Sequence, residues 1–210
     1  MPVHDDGLIS RYLNRSISRP LTAMILRFWP ECSPNLISII SAAFGLMGAF
    51  AFWGYQPFVG GILVQISSII DGSDGEIARA TGKDSYFGGF FDSILDRYVD
   101  FTVLTSMAFF SFLLLSPMWA LLLATTSISG SFLVSYTAAK AEAKEGLHFS
   151  RTIQGRDTRL FLVFLAGISS IVFLWVIPLC LIIITVLTHS AVFFRIIQVR
   201  RNPTLKENSP

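Results

Sequence analysis

Long apolar stretches separated by short polar turns make up most of the sequence. Each stretch is long enough to cross about 30 Å of hydrocarbon as an α-helix. The stretches cover residues 35–53, 58–80, 86–115, 118–138, 160–176 and 179–197. The turns between them contain charged residues or the helix-ending residues proline and glycine. The pattern therefore predicts an all-α polytopic membrane protein with six transmembrane helices.

Composition agrees with this class of protein. Hydrophobic residues make up 52% of the 210 residues and charged residues only 14%, whereas soluble domains carry roughly 25% charge. The net charge of +2 is small, and we expect no nucleic-acid partner. We divide the chain into an N-terminal interfacial segment at 1–34, a transmembrane domain at 35–200 and a polar tail at 201–210.

The segment before the first span has a basic amphipathic pattern. Between residues 8 and 29, arginines recur four or eight residues apart and most other positions are apolar. Such a pattern is typical of a helix that lies in the membrane interface. Pro20 is predicted to break this helix or to start it anew. The alternative is an ordinary helix that faces water.

Positive charge is confined to one side of the predicted membrane domain. All sixteen Lys and Arg residues except Arg97 lie in or beside the N-terminal segment, the 80–85 turn, the 139–159 loop and the tail. Positively charged loops face the cytoplasm. We therefore expect a multi-pass cell-membrane protein with these segments on the cytoplasmic side. Three tryptophans stand at the opposite ends of the spans, where an aromatic belt is expected: Trp53, Trp119 and Trp175.

Two pairs of aspartates interrupt the apolar stretches on the cytoplasmic side. Asp71 and Asp74 are three residues apart, and Asp92 and Asp96 are four apart, so each pair lies on one face of its helix. Ionisable groups within membrane segments usually mark a functional site. Four carboxylates would form a cage of oxygen ligands that suits hard divalent cations such as Mg²⁺. Asp100, further along, is interpreted as a partner of a basic group.

Small residues and one arginine accompany the aspartates. Gly75 and Gly88 remove side-chain bulk where a ligand could approach the backbone, and Ala78 keeps the face with Asp71 open. Arg79 supplies a planar cation suited to phosphate oxygens. Two metal ions would neutralise the four carboxylates and hold a diphosphate. The combination predicts a site for a nucleotide-like diphosphate.

Together these residues fit the pattern Asp-x2-Asp-Gly-x2-Ala-Arg-x8-Gly-x3-Asp-x3-Asp without departure. This pattern resembles the signature of the CDP-alcohol phosphatidyltransferases, integral membrane enzymes that also have six spans and an N-terminal interfacial helix. The resemblance implies transfer of a phospho-alcohol group from a CDP-linked donor to a hydroxyl acceptor, with release of CMP.

The resemblance also implies roles for individual residues. Asp71, Asp74 and Asp92 match metal ligands, and Asp96 matches the residue that completes the metal site and acts as general base. The positions expected around the CDP moiety are Gly75, Ala78, Arg79, Ser85 and Gly88. The expected cofactor is Mg²⁺, with two ions, and Mn²⁺ is an alternative. Homodimers occur in the family, but this sequence leaves the oligomeric state open.

The acceptor is predicted from two further stretches, 135–142 and 154–160, which resemble those of the family branch that uses inositol phosphate. Four basic residues in or between these stretches could hold a phosphate on the acceptor: Lys140, Arg151, Arg156 and Arg159. The alternative is a basic loop that binds anionic lipid headgroups. Glycerol phosphate is the other candidate acceptor. The alcohol of the donor stays open between a diacylglycerol, an ether lipid and a soluble polyol.

Two other classes of membrane protein also use intramembrane carboxylates. A cation transporter would place them near the midplane, whereas these gather at one face. A membrane prenyltransferase also binds a diphosphate through aspartates and magnesium, but its motifs lack the Gly-x2-Ala-Arg continuation. We expect the transferase and keep the transporter as the alternative.

Overall fold

A computed structural model describes residues 14–145 and 155–201 of the chain. Within these residues every regular element is an α-helix. The seven helices are α1 (Arg15–Phe28), α2 (Pro34–Trp53), α3 (Pro57–Thr81), α4 (Tyr86–Ser111), α5 (Pro117–Glu145), α6 (Arg156–Ser169) and α7 (Val176–Arg201). The first part of the predicted interfacial segment, Arg151 and most of the predicted tail lie outside the described residues.

Helices α2 to α7 run in alternating directions. Contacts between elements therefore bring the starts of α2, α4 and α6 together with the ends of α3, α5 and α7. We call this the motif end of the bundle, because it contains the aspartate motif. The main apolar core lies between the helices and includes Phe52, Val64, Met107, Phe110 and Leu181.

Glycines let three of the helices approach closely. A Cβ on Gly61 of α3 would lie 2.9 Å from the Cα of Gly167 on α6, so no larger residue fits at this crossing. A Cβ on Gly60 of α3 would lie 3.0 Å from the carbonyl oxygen of Gly48 on α2. Small residues at crossings are typical of helices that associate in lipid, where apolar side chains gain little by leaving the lipid tails. α3 is thus held tightly between α2 and α6.

The middle of α1 turns a polar face toward the protein, whereas Ile25 and Leu26 near its end pack partly buried against the apolar cluster of Cys32, Ile37 and Ile77. Ser18 and Thr22 are buried against α3, whereas Ile17, Met24 and Phe28 are exposed, Phe28 to 80%. This orientation is the reverse of that in a soluble amphipathic helix, which buries its apolar face. It leaves an apolar surface on the outside of the molecule.

The predicted break at Pro20 is wrong, because α1 runs through this residue without interruption. Proline has no N–H to donate, which weakens a helix interior. Side chains on both sides of it, Ser18 and Thr22, donate hydrogen bonds to Glu76 of α3. These tertiary bonds hold both halves of α1 in one direction.

Two helices end earlier than predicted. α4 ends at Ser111 rather than at residue 115, and α6 ends at Ser169 rather than at residue 176. In both cases the chain tightens into a turn in which backbone N–H groups donate to the carbonyl oxygen three residues earlier. Examples are the hydrogen bonds from Leu113 N to Phe110 O and from Val172 N to Ser169 O. The apolar composition of these turns hid them in the sequence pattern.

Among the described residues, three helices are long and apolar enough to cross a membrane: Pro34–Trp53, Pro117–Ala141 and Val176–Arg201. α3 and α4 are of comparable length, with 25 and 26 residues, but each carries motif charges. α6 has only 14 residues, which corresponds to about 21 Å. The chain is an all-α membrane protein.

Candidate active site

The two halves of the aspartate motif meet because a short turn joins α3 to α4. Gly82 ends α3 in the left-handed conformation, with φ of 64°, which glycine adopts without strain. Ser85 then starts α4 by accepting a hydrogen bond from Gly88 N at 3.0 Å. The end of α3 and the start of α4 therefore lie side by side at the motif end.

Three of the four motif aspartates converge. Carboxylate oxygens of Asp71, Asp74 and Asp92 lie within 4.8 Å of one another, and all three side chains are partly buried. We call these three residues the carboxylate cluster. Oδ1 of Asp92 is buried and has no hydrogen-bond partner among the residues that the structure describes. A buried acceptor without a donor is costly, so the cluster is suited to a cation.

Two serines of α2 support the cluster. Ser38 Oγ donates to Asp74 Oδ2, and Ser41 Oγ lies 3.4 Å from Asp71 Oδ1. Neither serine was predicted as a site residue from the sequence. Their spacing of three on an otherwise apolar helix was a usable signal, because it places two hydroxyls on one face.

Asp96 lies beside the cluster and is paired with arginines. Arg156 Nη1 is 2.8 Å from Asp96 Oδ1 and 2.8 Å from Asp71 Oδ2, so one guanidinium nitrogen bridges both halves of the motif. Arg97 Nη1 lies 3.5 Å from Asp96 Oδ2. The start of α6 is thus joined directly to the motif.

A fifth aspartate, Asp100, anchors α6 from within the bundle. It is only 2% exposed and accepts hydrogen bonds from Arg159 Nη2 at 2.7 Å and from Ser131 Oγ at 3.0 Å. Arg156 Nε lies 3.5 Å from its other oxygen. The interpretation of Asp100 as a buried partner of a basic group therefore agrees with its contacts.

A pocket of about 320 Å³ opens next to the carboxylate cluster. Asp74 and Asp92 form part of its wall. All five positions expected around a CDP moiety also line it: Gly75, Ala78, Arg79, Ser85 and Gly88. A Cβ on Gly88 would lie 3.2 Å from Asn35 Oδ1, so glycine keeps this wall open.

A larger cleft of about 1010 Å³ lies between α4 and α5 and shares Ser85 and Gly89 with the smaller pocket. Its walls are mostly aromatic and aliphatic. Phe90, Tyr98 and Phe132 are among the residues that line it. The two cavities therefore lie next to each other at the motif end.

The predicted acceptor residues differ in their contacts and in their exposure. Arg156 reaches the motif aspartates, whereas Arg159 is buried against Asp100. Lys140 is exposed on α5 and forms no ion pair within the described ranges. Arg195 of α7, which the sequence analysis did not select, donates to Thr137 Oγ1 at 2.9 Å and lies near enough to Arg159 for their charges to interact.

The donor set of the cluster fits a hard divalent cation. All three ligating groups are carboxylates, and magnesium, manganese and calcium prefer such oxygen ligands. Within the described residues, no cysteine or histidine belongs to this group. Cys32 and Cys180 are buried elsewhere as free thiols.

A helical membrane protein whose carboxylates converge beside a pocket of this kind has the architecture of a membrane-bound transferase. The chain belongs to the CDP-alcohol phosphatidyltransferase family, whose family model matches residues 31–197. The resemblance inferred from the motif is thereby confirmed.

Relatives with assigned activities match most of this chain. A bifunctional IPC transferase and DIPP synthase of Archaeoglobus fulgidus is 41% identical over 179 residues, which are 81% of this chain and 34% of the relative. An archaetidylinositol phosphate synthase of Pyrococcus horikoshii is 31% identical over 67% of this chain and 71% of its own length. The chain thus spans only about a third of the bifunctional relative.

Solved structures show the same fold. A phosphatidylinositol phosphate synthase of Mycobacterium tuberculosis with CDP-DAG bound has a TM-score of 0.74. The match is 23% identical and covers 90% of this chain and 96% of that one. The same protein has also been solved in complex with manganese and citrate.

Proposed function

We propose that this chain catalyses the metal-dependent transfer of a phospho-alcohol group from a CDP-alcohol to the hydroxyl of a polar acceptor, with release of CMP. The observation that carries the proposal is the convergence of Asp71, Asp74 and Asp92 beside the pocket lined by the other motif residues. The cation-transporter alternative is disfavoured, because these carboxylates lie at one end of the bundle next to a pocket.

Asp71, Asp74 and Asp92 would hold the metal, whereas Asp96, predicted as a fourth ligand, is outside this group and is paired with Arg156 and Arg97. Two Mg²⁺ ions, or Mn²⁺ in their place, would supply charge neutralisation for a diphosphate and its leaving phosphate. Arg79 lines the same pocket, so its guanidinium can bind phosphate oxygens of the CDP moiety. The small residues Gly75, Ala78 and Gly88 leave room for the nucleotide.

Asp96 is the proposed general base. Its carboxylate would take the proton of the acceptor hydroxyl while the hydroxyl oxygen bonds to the phosphorus nearer the alcohol. The bond from that phosphorus to the bridging oxygen breaks, and CMP leaves with the bonding electrons. Arg156, 2.8 Å from Asp96 Oδ1, keeps this carboxylate oriented.

The acceptor is proposed to be a phosphorylated polar alcohol, with inositol phosphate favoured over glycerol phosphate. This choice is supported by the similarity to an archaetidylinositol phosphate synthase of Pyrococcus and to a phosphatidylinositol phosphate synthase of Mycobacterium. Arg156 and Lys140, with Arg151, are the proposed ligands of the acceptor phosphate. Arg159 would not contact the acceptor. It would hold Asp100 in place next to Arg156, because its guanidinium is buried against Asp100.

The donor is proposed to carry a lipid alcohol. The apolar cleft between α4 and α5 adjoins the proposed CDP pocket at Ser85 and Gly89, which line both. An apolar cavity suits hydrocarbon rather than a soluble polyol. A diacyl or ether lipid chain would therefore extend from the diphosphate into this cleft.

We also propose that six helices, α2 to α7, cross the membrane and that the motif end faces the cytoplasm. Trp53, Trp119 and Trp175 lie at the opposite end and are each about half exposed, as expected of an aromatic belt. The exposed apolar side of α1 would lie in the interface among the lipids. Substrates from the cytoplasm would then reach the pocket directly.

CMP release from the purified protein in detergent tests the proposal. CDP-diacylglycerol and CDP-inositol are offered as donors, each with inositol phosphate, glycerol phosphate or serine, in magnesium and again with EDTA. We expect release with CDP-diacylglycerol and inositol phosphate, and none with EDTA. Cation uptake into vesicles without CMP release from any pair would favour the transporter instead.

Substitution of Lys140 tests the acceptor site. We expect Lys140→Ala to raise the KM for the acceptor several-fold and to leave the KM for the donor unchanged, because only the acceptor phosphate loses a cation. Arg201→Ala, at the exposed end of α7, is the matched control for loss of one positive charge. Equal changes in both KM values would argue against an acceptor role for Lys140.

A further inference from the structure

Glu76 is a motif-segment carboxylate that the proposed reaction does not use. It lies on α3 two residues after Asp74, and its side chain is 11% exposed. It accepts hydrogen bonds from Arg15 Nη1 at 3.2 Å, Ser18 Oγ at 3.1 Å and Thr22 Oγ1 at 2.9 Å. All three donors belong to one face of α1, so Glu76 joins the N-terminal helix to the motif helix.

The same face of α1 also covers the residues between the first two motif aspartates. Ser73 Oγ donates to the carbonyl oxygen of Ser18 at 3.4 Å. A Cβ on Gly72 would lie 3.4 Å from Ser18 Oγ. α3 is therefore held on one side by α1, through Gly72, Ser73 and Glu76, and on the other by the hydroxyls of α2 that contact Asp71 and Asp74.

Hydrogen bonds attach the part of α1 that lies beside the motif, and apolar contacts of Ile25 and Leu26 with Ile77 and its neighbours attach its end. The outer face of α1 is apolar, and in a lipid environment apolar side chains gain little by packing against protein instead of lipid. A partly buried carboxylate with three donors, one of them a guanidinium, is a strong directional contact in such a setting. Loss of this contact would let α1 shift relative to α3.

We propose that Glu76 is a positioning residue, which locks α1 against the back of α3 and thereby fixes Asp71 and Asp74 for metal binding. The inference rests on the proposed function, because it assumes that the carboxylate cluster binds a divalent metal. Metal ligands must be held within a few tenths of an ångström, and the groups that support them strongly affect metal affinity. Glu76 acts through the backbone of α3 and does not touch the metal or the substrates.

Glu76→Gln is the direct test, with Mn²⁺ as the probe. Glutamine keeps the shape of the side chain but presents an NH₂ group where Ser18 or Thr22 now donates. Binding of Mn²⁺ to the full-length protein in detergent is measured by the loss of the EPR signal of the free ion. Glu31→Gln is the matched control, because Glu31 forms an exposed ion pair with Lys83 and is itself 88% exposed.

We expect Glu76→Gln to weaken Mn²⁺ binding about tenfold, the size of effect seen when a group that orients metal ligands is removed. Thr22→Val, which removes a single donor, should weaken it less and in the same direction. Glu31→Gln should bind like the wild type. CMP release by Glu76→Gln should approach the wild-type maximum at saturating Mn²⁺.

A fall in the unfolding temperature of Glu76→Gln with unchanged Mn²⁺ affinity would overturn the inference and reduce Glu76 to a structural anchor. If Glu76→Gln proves too unstable to purify, an unchanged affinity in Thr22→Val would have the same meaning. Failure of the wild type to bind Mn²⁺ would instead refute the proposed function on which the inference depends.

Discussion

Two groups of carboxylates within the bundle differ in how well they are paired. Asp100 and Glu76 each accept hydrogen bonds from two or three side chains, including an arginine. In the carboxylate cluster, Asp71 is paired with Arg156, but Asp74 has one side-chain donor from another helix, and Oδ1 of Asp92 has none among the described residues. All of these acids lie within 30 residues on two adjacent helices.

We expect this difference to separate acids that hold helices in place from acids that bind the proposed metal. A paired carboxylate has already exchanged its water for protein donors, so it gains little from a metal ion. The carboxylate cluster has three like charges and one arginine partner, on Asp71, so it is unfavourable until a cation enters. Substitutions of the paired acids should therefore lower stability more, whereas substitutions in the carboxylate cluster should lower metal binding more.

The largest effect is expected for Asp92→Asn in the cluster. We expect CMP release to fall by at least about 10³-fold, as for other essential catalytic groups, and Mn²⁺ binding to be lost. The unfolding temperature in EDTA should stay the same or rise, because the substitution removes one of several mutually repelling charges. Both quantities are measured on the same detergent preparation.

The comparison would fail if Asp92→Asn unfolded at a markedly lower temperature than the wild type in EDTA. Such a result would place Asp92 with the structural acids. The control is Glu31→Gln, which neutralises an exposed acid near the same end of the bundle.

Asp100→Asn should have its main effect on stability. It leaves the buried guanidinium of Arg159 without its counter-charge, and breaking a buried ion pair on one side costs about 3–5 kcal/mol. We expect a clear fall in the unfolding temperature and in CMP release, with Mn²⁺ affinity reduced less than in Asp92→Asn. Release falls because Arg156 loses a neighbouring anion as well.

Ser131→Ala is the matched control for Asp100→Asn. It removes a hydrogen bond to Asp100 but leaves the ion pair intact, so the loss of stability should be near 1 kcal/mol. An Asp100→Asn protein as stable as Ser131→Ala would show that the charge of Asp100 contributes nothing.

Much of the fold follows from the pattern of apolar residues, because helices in lipid must satisfy their backbone hydrogen bonds internally. The starts of α2, α3 and α5 were predictable from Pro34, Pro57 and Pro117, which favour the first helical turn. The early end of α6 was not, since the residues that form the following turn are as apolar as those of the helix.

The site was predictable only in part. The convergence of Asp71, Asp74 and Asp92 follows from helical spacing and from the short turn between α3 and α4. The pairing of Arg159 with Asp100 does not, because it joins residues 59 positions apart whose contact depends on the packing of α4 against α6. Glu76 gave no signal either, since its partners lie on another helix more than 50 positions away.

The smallest effect is expected for Ser38→Ala, which tests whether α2 helps to orient the carboxylate cluster. Ser38 Oγ donates to Asp74 Oδ2 and so orients this carboxylate. We expect Mn²⁺ affinity to fall by about tenfold or less, with no change in the unfolding temperature in EDTA.

Ser41→Ala should have a weaker effect, because Ser41 also donates to the carbonyl of Ser67 at 3.0 Å and lies 3.4 Å from Asp71. If both variants bind Mn²⁺ like the wild type, the hydroxyls of α2 serve only the packing of that helix, and orientation of the cluster must come from α1, α4 and α6.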